Sequence, residues 1–402
     1  MPPTTVLVGF AEALAGPEAV WSLVDAGFRV IAFARKGRAS ALRHSHHVEI
    51  KEVTAPEIDL SACLIELCGL LNSIRDESGC CVIMPLDDKA LYLCDKVELP
   101  PGWVLAGPKG ANAELALDKF TQVQAAQKAG FNVPKTALAC TADDISRFAK
   151  ANSFPIILKA AQCVPIDSGR VCSGGNWICA NQAELDRALG QWAEKFPLLV
   201  QSFIAGVGEG IFGFAQSQGV KSWSAHRRIR MMNPEGSGSS ACISQTVQAD
   251  AKASAEAMIC ASHWRGLFMI ELLRDLEGKL WFVELNGRAW GSLALTRRQG
   301  LEYPAWTAMQ ALYPENDLET IEPRSSGLVC RNVGRELVHI LFVLRGTKSS
   351  TKLAKPSRIK TIWEVLRIHK GDTFYNWRGD DRKVFFADSY YTIRDTVFKT
   401  RH

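Results

Sequence analysis

The sequence predicts an α/β protein that opens with a parallel-sheet domain. Three observations carry that reading. Apolar strand-like runs alternate with helix-like runs over the first hundred residues, strand and turn patterns dominate 211–285, and the last eighty residues form a basic composition zone of their own. A chain of 402 residues has room for roughly two to four domains of about 100–200 residues each.

In order along the chain, Thr5–Phe10 has the continuous apolar character of a buried strand ending near Gly9. Pro17–Ala26 follows as a helix closed by Gly27, and Arg29–Ala34 as the next strand. Cys80–Pro85 and Trp103–Ala106 complete a strand–helix–strand series, which at this spacing implies a parallel sheet with crossover helices. The first turn is GFAEALAG rather than the GxGxxG of a dinucleotide fold, so NAD binding is not expected there. Leu117–Ala129 has a helical pattern ending at Gly130. Thr141 caps a further helix, and Pro155–Lys159 is a strand. A Gly/Ser-containing loop spans Asp167–Asn176, and a helix begins at Asn181. The strand Leu198–Ile204 precedes a bend at Gly206-Val207-Gly208, and one helix at about 250–264 interrupts the strand-rich region.

Composition narrows the class. With 47% hydrophobic and 22% charged residues, disorder, collagen and coiled coil are excluded. The net charge of +5 is too small to demand a nucleic-acid partner. It is unevenly placed: residues 321–402 carry 17 Lys/Arg against 8 Asp/Glu. A basic segment of this kind is usually a solvated face, with anionic lipid headgroups the less favoured reading. Twelve cysteines lie mostly inside apolar runs, as at Cys63, Cys68, Cys94 and Cys260, without a CxxC pair, which fits free thiols in a reducing cytoplasm. The opening MPPTTVLVGF does not resemble a signal peptide, and apolar stretches such as Leu337–Leu344 are far short of a membrane span of about 20 residues. The eight histidines do not suggest a zinc site, and there is no GxSxG nucleophile elbow.

The sharpest chemical signal is Phe268–Arg288, FMIELLRDLEGKLWFVELNGR, two apolar runs around the turn Asp275-Leu276-Glu277-Gly278. Pairing Arg274 with Lys279 sets Glu271 opposite Phe282. Glu271, Phe282, Glu284, Asn286 and Arg288 then share one face, with Glu284 the diagonal neighbour of Glu271. Two carboxylates on apolar strands repel unless a cation lies between them, and an oxygen-only set of Glu271, Glu284 and Asn286 suits Mg²⁺. His226-Arg227-Arg228-Ile229-Arg230 is a basic strand on which Arg228 and Arg230 share a face, an anion clamp in the functional reading.

This hairpin resembles the metal-binding end of the ATP-grasp superfamily, whose members join carboxylates to amines using ATP. Further segments agree in order over about 115–300. Asp118-Lys119 with the following helix and Gly-Phe-Asn-Val-Pro is similar to the family's first nucleotide lysine and its neighbouring passage, and Phe-Pro-Ile-Ile-Leu-Lys159 to the strand bearing the second. Gly169–Asn176, including Gly174 and Gly175, stands where the family has a phosphate-covering loop. Leu199–Ile204, with Gln201 and Ile204, resembles the hinge that meets adenine, with Glu209 in place of the ribose carboxylate. Asn286–Ser292 and His226–Arg230 resemble a carboligase-like subset.

The resemblance implies an N-terminal α/β domain (1–114), a two-lobed ATP-grasp domain (115–315) and a basic C-terminal extension (316–402). It also implies an ADP-producing carboxylate–amine ligase that uses ATP and Mg²⁺ (or Mn²⁺) and passes through an acyl phosphate. Lys119 and Lys159 would hold phosphates, with Arg288 and Arg230 as catalytic residues. The substrates would be a small carboxylate and an amine, amino acids among them. No nucleic acid and no transmembrane segment are expected, and a homo-oligomer stays open. Since every expected ATP contact lies before residue 300, the basic tail is expected to be dispensable for nucleotide chemistry. Two alternatives stand beside this: a nucleotide-dependent oxidoreductase using the N-terminal sheet, and a non-catalytic ATP-binding or assembly protein.

Overall fold

The structure is a computed structural model that describes residues 4–74, 79–236, 238–346 and 356–399. The first hundred residues form a five-stranded parallel sheet in the order Val48–Val53, Arg29–Arg35, Thr5–Gly9, Cys81–Pro85, Trp103–Leu105. Three of the strands, Thr5–Gly9, Arg29–Arg35 and Cys81–Pro85, are almost wholly buried. That is why their sequences are continuous apolar runs rather than alternating ones. At Gly9 a Cβ would overlap the Phe33 ring at 2.0 Å, so the turn after the first strand has room only for glycine. The strand Val48–Val53 and the helix Leu60–Ser73 were not apparent from the sequence pattern.

A four-stranded antiparallel sheet follows, in the order Asn176–Cys179, Ile156–Ala160, Leu198–Ser202, Thr136–Ala139. Helices Ala142–Ala151 and Gln182–Trp192 cover it and bury Ile145, Phe148, Leu158 and Trp192. The region expected as one helix from Leu117 is two, Ala111–Leu117 and Lys119–Lys128. Asp118 separates them because its extended backbone lets its carboxylate accept from Thr121 N at 2.7 Å, capping the second helix.

The third sheet has seven strands, in the order Leu280–Asn286, Gly266–Asp275, Gly206–Gln216, Gly219–Met231, Ser239–Gln245, Val329–Arg331, Thr373–Phe374. One face packs on helices Lys119–Lys128 and Ala249–Ala261 through Ile211, Phe268, Ile270 and Leu285. The other meets the N-terminal domain, where Phe212, Trp290 and Tyr303 share a core with Val6, Val8 and Trp21.

The last two strands of this sheet come from the basic C-terminal extension, which is built into the fold. Glu336, on helix Val333–Arg345, is 2% exposed and accepts from Arg230 (Nε at 2.9 Å, Nη2 at 2.7 Å), from Arg331 Nε at 3.1 Å and from Ser240 Oγ at 2.8 Å. Further on, buried Asp381 accepts from Trp21 Nε1 at 3.0 Å, fastening the tail to the first helix of the chain. The part of the basic run that falls in 347–355 lies outside the described residues.

Removing Glu336 would leave Arg230 without its buried counter-charge and Arg331 with Asp372 alone. Glu336→Ala is therefore expected to cost about 3–5 kcal/mol in urea unfolding. A chain ending near residue 320 should be insoluble or partly unfolded. A cooperative unfolding transition for that truncation at the full-length midpoint would contradict the role given to the tail.

Candidate active site

The site is organised by an irregularity in the hairpin Gly266–Asp275/Leu280–Asn286. Arg274 pairs with Leu280 rather than Lys279, and a β-bulge between Glu271 and Leu272 leaves Val283 without an opposite residue. Glu271 therefore stands directly opposite Glu284, closer than the diagonal relation expected from regular pairing. The same bulge turns Phe282 off that face: it pairs with Leu272 and joins the core with Leu285. Glu271, Glu284, Asn286 and Arg288 all line one cavity of about 280 Å³ between the large sheet and the N-terminal domain.

Polar contacts in the cavity are close. Arg228 Nη2 donates to Glu271 Oε1 at 2.5 Å, and Asn286 Nδ2 lies 3.4 Å from Glu284 Oε1. Arg288 donates to Asp88 through Nε at 3.0 Å and Nη2 at 3.2 Å, reaching across to the N-terminal domain. Gly287, between Asn286 and Arg288, packs so tightly that a Cβ would lie 2.9 Å from Pro108 and Trp264. Burial pushes the Glu271 carboxyl above its usual range against the pull of Arg228, and the like charge of Glu284 adds to the rise. A cation between two such carboxylates relieves both causes, so the donor set fits a hard divalent ion.

The two lysines enter from the other side. Burial lowers Lys159 to about 8 despite the favourable charge of Glu284, and Lys119 lowers it further. Lys119 is held near its partner by Nζ–H donation to Cys163 Sγ at 3.3 Å, and by its backbone N donating to Ala161 O at 2.8 Å. Burial works against its charge too, but Cys163, Glu284 and Asp88 outweigh that and raise it. A cationic pair close to these carboxylates is suited to phosphate oxygens. Gly175 has φ +60° and a Cβ there would overlap the Trp177 ring at 2.0 Å, while a Cβ on Gly174 would lie 2.9 Å from Ala160 Cβ, beside Lys159. The loop's short hairpin docks on the N-terminal domain through Leu60 N to Gly169 O at 3.1 Å and Val171 N to Pro56 O at 2.9 Å.

Three expected residues sit elsewhere. Glu209 is next to Gly210, the register partner of Glu271, so its side chain takes the opposite face of the sheet. There it is closed by Arg274, with Nε and Nη2 at 2.8 and 2.9 Å. Arg230 leaves the face of Arg228 because the strand pairing shifts between them, and Glu336 occupies its guanidinium. Gln201 is buried inside its sheet between Thr136 and Ile157, with Nε2 donating to Thr136 Oγ1 at 2.7 Å, whereas Ile204 lies in the connection that leads to Gly206.

Other residues at the site were not singled out from sequence. Asp88 opens the helix after the fourth strand of the parallel sheet. Its position at the carboxyl end of a parallel strand was a usable signal, because ligands gather there. Arg335, from the tail helix, lines both this cavity and a neighbouring one of about 730 Å³. No sequence spacing connects it to the hairpin. His226, already read from the sequence as the start of the basic strand, also lines the cavity, and burial together with Arg228 holds its imidazole neutral, down to about 3.

No protein-family model and no curated protein matches the chain. Solved structures do. N5-carboxyaminoimidazole synthetase from Staphylococcus aureus superposes with a TM-score of 0.60 at 17% identity, covering 83% of each chain. L-amino acid ligase from Bacillus licheniformis gives 0.57 at 16% identity, over 79% of this chain and 76% of that one. The biotin carboxylase domain of Hydrogenobacter thermophilus 2-oxoglutarate carboxylase, solved with MgADP and bicarbonate, gives 0.60 at 16% identity, over 82% and 74%. With a parallel N-terminal sheet, a small antiparallel lobe bearing Lys159 and a large lobe bearing Glu271 and Glu284, the chain has the ATP-grasp fold.

Proposed function

We propose that the protein is an ATP-dependent ligase that joins a small carboxylate to an amine and releases ADP and phosphate. The observation that carries the reading is the pairing of Glu271 directly opposite Glu284, with Asn286 and Arg288 on the same cavity and Lys119 and Lys159 electrostatically coupled to it. The names of the similar structures, a synthetase, an amino acid ligase and a carboxylase domain solved with MgADP, support the same class. The division into residues 1–114, 115–315 and 316–402 is proposed on functional grounds, with the last part also contributing Arg335 to the site.

In this reading Lys119 and Lys159 hold the phosphates, with Gly174 and Gly175 in the covering loop and the connection at Ile204 beside the base. Glu271, Glu284 and Asn286 would hold Mg²⁺, which supplies charge neutralisation on the phosphate oxygens when bound. A carboxylate is a poor electrophile because its charge repels nucleophiles. Its oxygen attacks the γ-phosphorus and the bond to ADP breaks. The amine then attacks the acyl carbon, loses a proton and expels phosphate carrying one former carboxylate oxygen. In-line transfer needs positioning and charge neutralisation rather than a protein nucleophile. Arg288, oriented by Asp88, is placed to stabilise the transferring phosphoryl or the bound carboxylate. The dinucleotide alternative has no support in the first turn, where the Phe33 ring closes the space above Gly9.

ATP should bind measurably more tightly with Mg²⁺ than with EDTA in calorimetry. Glu284→Gln should abolish turnover while the far-UV spectrum stays unchanged. Equal affinity under both conditions would remove the metal assignment.

Lys159 gives a pH test. Its folded value near 8 lies below that of an ordinary lysine, so it loses its charge as pH rises through about 8. ATP affinity should accordingly fall between pH 7 and 9, and Lys159→Arg should flatten that fall. Lys159→Met should weaken binding by about 10- to 100-fold at pH 7, the range of a charge-assisted hydrogen bond.

With carboxylate labelled by ¹⁸O, the label should appear in inorganic phosphate in proportion to amide formed. Stoichiometric AMP without labelled phosphate would replace γ-transfer with adenylation.

A further inference from the structure

We infer that His46, His47 and Asp380 form a binding site for a divalent transition-metal ion of the Zn²⁺ class, which pins the C-terminal segment to the N-terminal domain. One donor atom from each residue lies within 4.8 Å of the others. Tetrahedral zinc, with bonds near 2.0–2.1 Å, places neighbouring donors about 3.3 Å apart. His47 Nε2 and Asp380 Oδ2 are already 3.1 Å apart, the spacing of two ligands on one ion. The third donor has to close by a small side-chain rotation, and His46 is free to make it, since its side chain is 61% exposed.

The surroundings orient these groups. Arg378 Nε donates to Asp380 Oδ1 at 2.8 Å, which engages one carboxylate oxygen and leaves Oδ2 toward His47. Behind His46 stands Asp381, with Oδ1 at 3.4 Å from His46 Nδ1. Asp381 is itself buried and fixed by Trp21 Nε1 at 3.0 Å and Ser45 Oγ at 2.5 Å. A carboxylate behind an imidazole is the arrangement that fixes ring orientation and raises basicity in metal-ligating histidines. The two rings lie side by side, 4.0 Å apart and tilted by 35°. Two imidazoles and one carboxylate favour zinc-type ions over magnesium or calcium, and the open position would be taken by water.

The placement has a consequence. His46 and His47 follow the short helix Ala41–His44, whereas Asp380 precedes the final helix Arg382–Lys399. That helix contributes Asp388 and Tyr391 to the cavity of about 730 Å³ beside the candidate active site. An ion at the cluster braces that wall and binds only the folded chain, so it raises stability by mass action. None of the three residues lines the cavity of Glu271 and Glu284, so the site is separate from the proposed magnesium site.

The test uses the full-length chain without a histidine tag, stripped with EDTA and kept in excess Mg²⁺. Zn²⁺ is titrated by calorimetry and Co²⁺ by visible absorption. One equivalent should bind, the cobalt spectrum should be that of a tetrahedral nitrogen/oxygen site, and zinc should raise Tm by a few degrees. His47→Ala and Asp380→Asn should each weaken binding at least about tenfold, whereas Glu284→Gln should leave it unchanged. A thiolate-to-cobalt band would place the ion on cysteines and overturn the proposal. So would unchanged affinity in both variants, or the absence of saturable binding, which would leave the cluster as a plain His–Asp ion pair. If either variant loses its far-UV signature, the exposed His46→Gln is titrated in the same way: weakened binding supports the site, and unchanged affinity overturns it.

Discussion

The carboxamide of Gln122 donates to Ala116 O at 2.8 Å and Leu285 O at 3.0 Å while accepting from Leu285 N at 2.9 Å, and the placement of lysines against carboxylates depends on these three bonds. Gln122 lies on the helix that begins at Lys119, and Leu285 stands between Glu284 and Asn286. Its side chain is 1% exposed, so each bond is made away from water, where an unpaired amide is expensive. On the other side, Lys119 N binds Ala161 O and Cys163 N binds Leu117 O, both at 2.8 Å, which ties the lysine helix to the strand of Lys159. The two lysines and the carboxylate strand are therefore held by the Gln122 carboxamide on one side and by backbone bonds on the other, before any ligand adds its own.

Within that frame, the bulge at Val283 decides the electrostatics. Regular pairing would separate Glu271 and Glu284 along the diagonal; the extra residue brings them face to face and sends Phe282 into the core. Burial first and the apposed Glu284 second push the Glu271 carboxyl up, and Arg228 pulls against both without cancelling them. The neighbouring lysine shows the converse, since burial has lowered it to about 8. Opposite displacements of this kind in one cleft are what a site for a charged ligand produces.

Much of this was legible from residue pattern. The first sheet followed from uninterrupted apolar runs, and Glu271, Glu284, Asn286 and Arg288 followed from strand alternation around a recognisable turn. Some of what failed did so where pairing is irregular. A bulge leaves no mark in an apolar run, so the hairpin register expected from the turn is off by one and Phe282 falls on the other face. Shifts in the pairing of Gly219–Met231 likewise separate Arg230 from Arg228. Position along the chain puts Glu209 near the hinge, but strand parity turns it toward Arg274. Asp88 and Arg335 reach the cavity from opposite ends of the chain, a proximity that only tertiary structure creates.

The tail is both a solvated basic face and a built-in part of the fold. Most of its described basic residues are exposed, as the excess over 321–402 suggests, while Arg331 is buried and Arg335 and Arg378 are half-buried. Arg331 is 4% exposed and donates to Glu336, to Asp372 Oδ2 at 3.1 Å and to the carbonyls of Val365 and Arg367. Arg378 spans Asp25 at 2.7 Å and Asp380 at 2.8 Å. Traffic also runs the other way, because Arg298 donates to the carbonyls of Phe374 and Trp377 and to buried Glu18 of the first helix. Such groups cost desolvation on folding and regain it only when every partner is present. The tail thus satisfies Arg331 from within itself, and it is joined to the N-terminal domain through Asp25 and Trp21 and to the large sheet through Arg230. The two short strands it adds to that sheet, and the apolar packing of Cys330, Tyr375 and Val384, join the buried ion pairs in holding it there.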